Sequence, residues 1–375
     1  MNHLPEVLKI LEGALKANAQ MAVSYANLLA DKLENEGNKQ HAKLVREKLS
    51  RAPKQLFSTA GALNPLPVDS ESRFPLADET RPIADASRIL LNVQTASLID
   101  EFISCVQKSD ELIAAGVGFS PSMLLYGPPG CGKTVLANEI AAKLGLPLLT
   151  ARCDTMVSSF LGATSKNIRS LFEHAAGRPC VLFLDEFDAL AKARDDKQEL
   201  GELKRVVVSL LQNFDAQSRN TVMIAATNHP QLLDPAVWRR FAYRIEIGLP
   251  DADQVATILT SRLGSFATTK EVELVTPLCA GLSGALVEQA VHDSVRAAVL
   301  SNSRSIEVGE LARRLVRAQA GGRPLNAEEE MQLLRSKAPN IFDYRTLHRL
   351  FGVSMRRITQ VFKEQKEDAY EHTSA

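Results

Sequence analysis

The spacing of apolar positions changes along the chain and divides it into segments. In residues 4–49 apolar side chains recur every three or four positions, and Gly13 and Gly37 interrupt the pattern. This spacing predicts two or three short helices, which form a helical N-terminal unit over residues 1–52. Residues 53–88 hold five of the chain's 17 prolines and show little periodicity, which predicts a flexible linker.

From about residue 89 short apolar runs alternate with helical stretches. The strand-length runs are Met123–Tyr126, Leu148–Arg152, Val181–Leu184, Thr221–Ala226 and Tyr243–Ile247. This alternation predicts an α/β fold over residues 89–250, a doubly wound parallel sheet with helices on both faces. No strand pattern follows, so residues 251–320 are expected to form a small helical unit and residues 321–375 a further helical extension.

Composition narrows the class of protein. Lys and Arg number 44 and so do Asp and Glu, so the chain as a whole is not expected to bind polyanions indiscriminately. No apolar run has the length of a membrane span, and the amino end lacks the pattern of a secretory signal. The five cysteines are scattered without C-x-x-C spacing, which favours a reduced, cytoplasmic protein without a structural zinc.

A glycine-rich motif follows the first strand of this sheet. The segment "GPPGCGKT" has the spacing G-x-x-x-x-G-K-T and directly precedes a predicted helix. Glycines let backbone N–H groups turn toward phosphates, and the helix N-terminus favours their negative charge. Lys133 would reach the β- and γ-phosphates and the Thr134 hydroxyl would bind Mg²⁺. The residues predicted to hold the nucleotide are Gly127, Pro128, Pro129, Gly130, Cys131, Gly132, Lys133, Thr134, Val135 and Asp185.

Two adjacent carboxylates end the strand of "CVLFLDEFDAL". Asp185 is predicted to help hold Mg²⁺, and Glu186 to lie where an attacking water would be activated. Asn228 ends the strand of "TVMIAATN" and is predicted to orient that water. Arg239 and Arg240 lie in a predicted turn; they are either a solvated pair or arginine fingers that stabilise charge on a phosphate in a neighbouring subunit.

The ordered motifs "GPPGCGKT", "VLFLDEFDAL", "AATN", "LDPAVWRRF" and "GLSGALVEQAV" resemble the AAA ATPases, specifically the protein-remodelling clade of katanin, spastin and the proteasomal ATPases. The resemblance covers about residues 89–318. It implies a P-loop NTPase domain with a small α-helical lid, which uses ATP and assembles as a homo-oligomeric ring, usually of six. It also implies that Arg239 and Arg240 act on the next subunit, whereas the residues that act within one subunit are Lys133, Thr134, Asp185, Glu186 and Asn228.

The same resemblance points to a pore loop. Phe160, Leu161 and Gly162 match the aromatic, aliphatic and glycine triplet that projects into the ring's pore and grips a polypeptide. The alternative is that the two apolar residues belong to the core beside a turn. The flanking serines and the following Gly-Ala-Thr-Ser favour a loop, although Ala163 departs from the Glu that often follows this glycine.

The C-terminal extension contains a second motif. The segment "LHRLFGVSMRRITQV" resembles a helix-turn-helix, with Gly352 at the turn, Ser354 as N-cap, and Val353 and Ile358 packing inward. Residues 345–363 contain five Lys or Arg and no acid, so they could bind nucleic-acid phosphates. The alternative is a helical hairpin that packs on a neighbouring lid or on a partner protein.

The leading hypothesis is an Mg-ATP-driven ring motor that remodels, unfolds or activates a partner protein, with no membrane association. The N-terminal helices, residues 1–52, are expected to recruit that partner. Small residues at Ser283, Gly284 and Ala285 favour a polypeptide substrate, since DNA-directed relatives commonly place an arginine there. One alternative is a DNA-associated motor or loader that uses the helix-turn-helix. The other is an ATP-dependent regulatory switch for a partner enzyme.

Overall fold

The computed structural model describes residues 7, 10, 19–51, 66–69, 73–83, 89–156, 161–177, 179–191, 202–216, 221–321, 323–339 and 341–363. It divides into two compact units, residues 1–67 and residues 68–375. No helix among the described residues combines the length and the apolar character that crossing a membrane requires.

The first unit contains a helical hairpin. Helix α1 spans Ala19–Asn35 and α2 spans Lys39–Arg51, and the turn between them contains Gly37 with a left-handed φ of 86°. Small side chains line the helix contact, and Ala30 and Ala42 are almost completely buried there. Gly37 was predicted to interrupt the helical pattern, and the hairpin confirms this.

The second unit is built on a sheet. The described residues form six strands in the order β1-β3-β4-β5-β2-β6. The strands β2 to β6 are parallel to one another, whereas β1 pairs antiparallel with β3. This sheet confirms the predicted α/β fold. The strands are β1 (Asp78–Thr80), β2 (Ser122–Tyr126), β3 (Leu148–Arg152), β4 (Cys180–Asp185), β5 (Thr221–Thr227) and β6 (Tyr243–Glu246).

Helices cover both faces of this sheet. Residues from α3 and α5 pack on one face with Phe183 of β4. On the other face, Leu182 and Leu184 are fully buried, and α7 packs against α9. Burial on both faces explains the nearly continuous apolar strands. The helices are α3 (Val93–Gln107), α4 (Ser109–Ala114), α5 (Lys133–Leu144), α6 (Cys153–Met156), α7 (Leu161–Ala176), α8 (Asp188–Ala191), α9 (Glu202–Asp215) and α10 (Pro235–Trp238).

Strand β1 lies inside the segment that the sequence predicts to be linker, residues 53–88. Its three residues pair with β3, and the preceding Leu76 and Ala77 are buried. The prediction missed this strand because a three-residue edge strand is too short to show an alternating pattern. The division between the two units falls after Pro67, within the same proline-rich segment.

Between residues 252 and 363 the described part of the second unit is helical. Its helices are α11 (Ala252–Leu263), α12 (Thr269–Val275), α13 (Gly284–Leu300), α14 (Val308–Gln319), α15 (Ala327–Lys337), α16 (Tyr344–Phe351) and α17 (355–363). The sequence separates a lid, residues 251–320, from a C-terminal extension, residues 321–375. The structure instead gives both one hydrophobic core, which runs from Val255 to Ile358. Periodicity finds helices but does not show which helices share a core, and this accounts for the difference.

An ion cluster joins the two parts of this helical region. Glu330 of α15 has a side chain that is 1% exposed, and it accepts hydrogen bonds from Arg313 at 2.9 Å and from Arg317, both on α14. A buried carboxylate is costly unless it is paired, so these contacts fix α15 against α14.

Glu330→Gln should destabilise the protein by about 3 kcal/mol, because it leaves the largely buried Arg313 without its full countercharge. Urea unfolding followed by circular dichroism measures the change. Glu288→Gln is the matched control, since Glu288 pairs with Arg262 at 2.9 Å with both side chains more than a third exposed, and it should cost less than about 1 kcal/mol. Equal effects of the two substitutions would contradict the structural role of Glu330.

Candidate nucleotide site

The glycine-rich loop connects β2 to α5 at the carboxyl edge of the sheet. Gly127 has a φ of 139°, and a Cβ there would lie 2.2 Å from the backbone oxygen of Ile247. Gly130 has a φ of 74°, and a Cβ there would lie 2.8 Å from the Ser283 hydroxyl oxygen. The loop therefore needs glycine for two reasons, its left-handed backbone and its close approach to neighbouring chain.

Helix α5 begins at Lys133, directly after this loop. Its first N–H groups have no partner within the helix, so the helix N-terminus and the turned loop together favour an anion. The Lys133 side chain is almost fully buried, and its ammonium donates to the backbone oxygens of Gly127 and Pro128, each at 2.8 Å. Burial lowers the pKa of Lys133, and the nearby acidic groups Asp185 and Asp188 oppose that shift.

Thr134 and Asp185 meet across the sheet edge. The Thr134 hydroxyl donates to Asp185 Oδ2 at 3.1 Å, and Asp185 Oδ1 accepts from the backbone N–H of Glu186 at 3.0 Å. A hydroxyl oxygen beside a carboxylate is a ligand set that suits Mg²⁺. The phosphate loop and the carboxylate of Asp185 at the end of β4 thus lie side by side, as predicted from the sequence.

Glu186 adopts an unusual backbone conformation. Its φ is 51°, and the left-handed region costs a residue with a side chain about 1–2 kcal/mol. The next residue resists relaxation, because Phe187 is fully buried and its N–H donates to the Ala226 oxygen at 2.9 Å. The strained residue is exposed at the carboxyl edge, and such strain is typical of functional sites.

Asn228 follows β5, which lies between β4 and β2. The amide therefore extends from the strand between Asp185 and the glycine-rich loop, as predicted. A supporting hydrogen-bond network beside it was not predicted from the sequence. The Thr227 hydroxyl donates to Asp188 Oδ1 at 2.6 Å and accepts from the His229 N–H at 2.9 Å. Asp188 was visible in "DEFDAL", but only the fold brings it to β5.

The lid touches the glycine-rich loop directly. The N–H of Ala285, in the first turn of α13, donates to the Gly130 oxygen at 3.0 Å. The side chains of Ser283 and Ala285 also lie within 3.0 Å of where a Cβ at Gly130 would stand. Ser283 and Ala285 thus pack closely against the loop at Gly130, whereas a Cβ at Gly284 would make only ordinary contacts, 3.7 Å from the Gly130 oxygen at the nearest.

Arg239 and Arg240 are exposed in the turn after α10. The Arg240 oxygen accepts from the hydroxyl of Ser122, the first residue of β2, at 3.2 Å, and its guanidinium pairs with Asp215 at 3.0 Å. The pair therefore lies at the amino edge of the sheet. The five residues of β2 separate it from the chain's own glycine-rich loop by about 16 Å.

Other predicted site residues give mixed results. Phe160 and the two serines before it lie outside the described residues. Leu161 and Gly162 begin α7, so the Gly-Ala-Thr-Ser sequence that favoured a loop occurs instead at the start of a helix. Small polar residues are common at helix starts as well as in loops.

Two further residues were predicted to hold the nucleotide. Val135 is partly exposed on α5. Burial raises the pKa of the Cys131 thiol, against the effect of Lys133, which favours a spectator over a reactive side chain.

Comparison with known proteins agrees with this geometry. The family model described as "ATPase family associated with various cellular activities (AAA)" matches residues 123–249. An uncharacterized AAA family ATPase, y4kL of Sinorhizobium fredii, is 33% identical over 290 residues, which cover 77% of this chain and 88% of the relative.

Two further relatives are ATP-dependent zinc metalloproteases. FtsH 1 of Symbiobacterium thermophilum is 29% identical over 303 residues, covering 73% of this chain and 50% of the relative. FtsH of Rubrobacter xylanophilus is 30% identical over 285 residues, covering 72% of this chain and 42% of the relative. The chain thus spans half or less of these metalloproteases.

Gly127→Ala should weaken nucleotide binding at least about fivefold, since relieving the clash with Ile247 must displace the loop at a cost of about 1–3 kcal/mol. Titration with a fluorescent ATP analogue measures the effect. Gly248→Ala is the matched control, because a Cβ at Gly248 meets nothing within 4 Å. Indistinguishable affinities of the two variants would contradict the assigned role of Gly127.

Proposed function

The chain belongs to the AAA family of ATPases, and we propose that it is an Mg²⁺-dependent ring motor that uses ATP hydrolysis to remodel, unfold or activate a partner protein. The observation that carries the proposal is the separation of two sets of charged groups. The glycine-rich loop, Asp185 and Glu186 lie at the carboxyl edge of the sheet, whereas Arg239 and Arg240 lie at the amino edge. Their guanidinium groups serve a nucleotide only if it is bound by another copy of the chain.

Each residue at the carboxyl edge has a role in this proposal. The loop Gly127–Thr134 and Val135 surround the phosphates, and Thr134 and Asp185 hold Mg²⁺, which neutralises phosphate charge. The strained Glu186 accepts a proton from the attacking water. Asn228, on the neighbouring strand, orients that water.

The ring is proposed to contain six copies, as the resemblance implies. Arg239 and Arg240 are exposed, and the buried Phe241 beside them packs on Phe187 and Phe214 at centroid distances of 5.6 and 5.0 Å. This aromatic cluster holds the arginine turn in place while the side chains remain accessible. Such rigid support suits a residue that completes a neighbour's site.

The partner is proposed to be a polypeptide. The small residues at the start of α13 support this, as do the tandem arginines before Phe241, which resemble katanin-type enzymes. Phe160, Leu161 and Gly162 would grip the substrate in the pore. Residues 1–52 would recruit it in the cytoplasm, and the alanine-lined hairpin of α1 and α2 supplies a folded unit for that purpose.

One observation favours a second candidate function. The FtsH relatives carry metalloprotease in their names, yet the chain spans half or less of their length. A chain that matches half or less of such a protease would instead act as an ATP-dependent switch for a separate partner enzyme. In that case the pore residues would be dispensable, whereas the hydrolytic residues would still be needed.

Glu186→Gln should lower ATP turnover at least about 100-fold, because the amide cannot accept the proton of the attacking water. Nucleotide affinity should be retained, since the phosphate loop is unchanged. Phosphate release and fluorescent ATP binding measure the two effects. Glu246→Gln makes the same charge change at the end of β6, three strands away from β4 in the sheet, and should leave turnover intact. Unchanged turnover in Glu186→Gln would refute the assigned base.

Phe160→Ala should abolish the stimulation of ATPase activity by an unfolded polypeptide, because the aromatic grip on the substrate is lost. ATP binding should persist. Reduced, carboxymethylated α-lactalbumin serves as the probe, and phosphate release is measured with and without it. Phe74→Ala removes an aromatic side chain that is 73% exposed elsewhere and should keep the stimulation. Equal stimulation in both variants would exclude threading and favour the regulatory switch.

A further inference from the structure

Helices α15, α16 and α17 pack around the side chain of one arginine. The Arg335 guanidinium of α15 lies over the Tyr344 ring of α16, 4.4 Å from its centroid, and over the Phe362 ring of α17 at 5.4 Å. The two rings stack with their centroids 5.5 Å apart. Arg335 also donates to the Phe342 oxygen at 3.1 Å. These contacts fix all three helices relative to one another.

The connection between α16 and α17 is a short, well-defined turn. Gly352 ends α16 with a φ of 67°, and the Ser354 hydroxyl accepts from the Arg357 N–H at 3.4 Å as an N-cap. Leu347 and Ile358 are fully buried on either side of the turn, and Val353 packs against the same core. Two helices joined by three residues with a left-handed glycine form a helix-turn-helix connection.

The acidic groups of α15 and the start of α16 are already engaged. Glu328 accepts from Arg357 at 2.9 and 2.6 Å, Glu329 pairs with Arg323, and Glu330 is buried against α14. The Asp343 carboxylate caps α16 through the Thr346 N–H at 2.7 Å. Because Glu328, Glu329 and Glu330 already have partners, the carboxylates of α15 neutralise Arg357 but no other cation of α16 or α17.

Three cations on α16 and α17 have no acidic partner within the described part of the chain. These are Arg349, Arg356 and Lys363, and all three are exposed. Arg345 is also exposed, but it lies near Asp343. The hydrogen bonds from Thr346 lower the pKa of Asp343, and the charge of Arg345 lowers it further. Within the described residues, the unpaired exposed charges of α16 and α17 are therefore positive, although the whole chain is neutral.

The same surface offers little apolar area. Among the described residues of α16 and α17, Met355 is the one large apolar side chain that is exposed, at 41%. Protein interfaces usually have an apolar, aromatic centre, whereas DNA-binding surfaces are polar and positive. The chemistry of the surface favours a polyanion over a protein partner.

We propose that α16 and α17 bind double-stranded DNA, with α17 in the major groove. In helix-turn-helix proteins the second helix enters this groove and its N-terminal residues contact base edges. Arg356 is placed to donate to a guanine and Met355 to contact a thymine methyl group. Arg349 and Lys363 bind phosphates on either side. This site is separate from the ATPase site and does not depend on the pore function.

Binding of the full-length chain to a fluorescein-labelled duplex of mixed sequence tests the proposal. Anisotropy titrations over a range of salt concentrations should give a log–log slope of about −1.8, which is 0.9 for each of the two phosphate-binding cations, Arg349 and Lys363. Arg349→Ala and Lys363→Ala should each weaken binding about eightfold at 0.1 M salt and flatten the slope by about 0.9. Arg296→Ala, on a 69% exposed arginine of α13, is the matched control and should change neither value.

Enrichment from a pool of randomised duplexes tests the groove placement. The native chain should select a sequence motif that Arg356→Ala no longer selects, while both retain ATPase activity as proof of folding. Several outcomes would overturn the proposal: no salt-dependent binding, equal losses in Arg296→Ala, no enriched motif, or tighter binding to single strands. Retention of an acidic protein with no affinity for duplexes would identify a protein interface instead.

Discussion

The close approach of the glycine-rich loop to its neighbours is the constraint on which the rest of the structure depends. At Gly127 the loop leaves no room for a Cβ beside the Ile247 oxygen, and at Gly130 it bonds to the N–H of Ala285. The loop thus contacts both the sheet and the lid. A displacement of the loop at Gly130 would therefore disturb its hydrogen bond to the first turn of α13, a helix that belongs to the core extending to Ile358.

Strain at the carboxyl edge is balanced by aromatic packing. Glu186 has a left-handed backbone, and the adjacent Phe187 is buried against Phe241, which directly follows Arg240. One apolar cluster therefore supports two charged groups that face different surfaces. This arrangement explains how a single fold can hold both the proposed base and the proposed finger without placing them in the same site.

Much of the site could be predicted from sequence because its motifs are local. The strand ends at Tyr126 and Asp185 follow from apolar runs, and the loop follows from its glycine spacing. The role of Asp188 could not be predicted, because its partner Thr227 is on a strand that only sheet order brings beside it. Strand β1 was missed because its pairing with β3, rather than its own sequence, makes it a strand.

The C-terminal helices separate most clearly what sequence and tertiary structure decide. The sequence alone determined the helices, the turn at Gly352 and the row of basic residues, since these depend on local propensity and residue type. The tertiary structure alone decided that Glu328 neutralises Arg357, that Glu330 is buried beneath α14, and that Arg349, Arg356 and Lys363 remain exposed. Which charges reach solvent depends on distant partners, and a one-dimensional pattern contains no information about those distances.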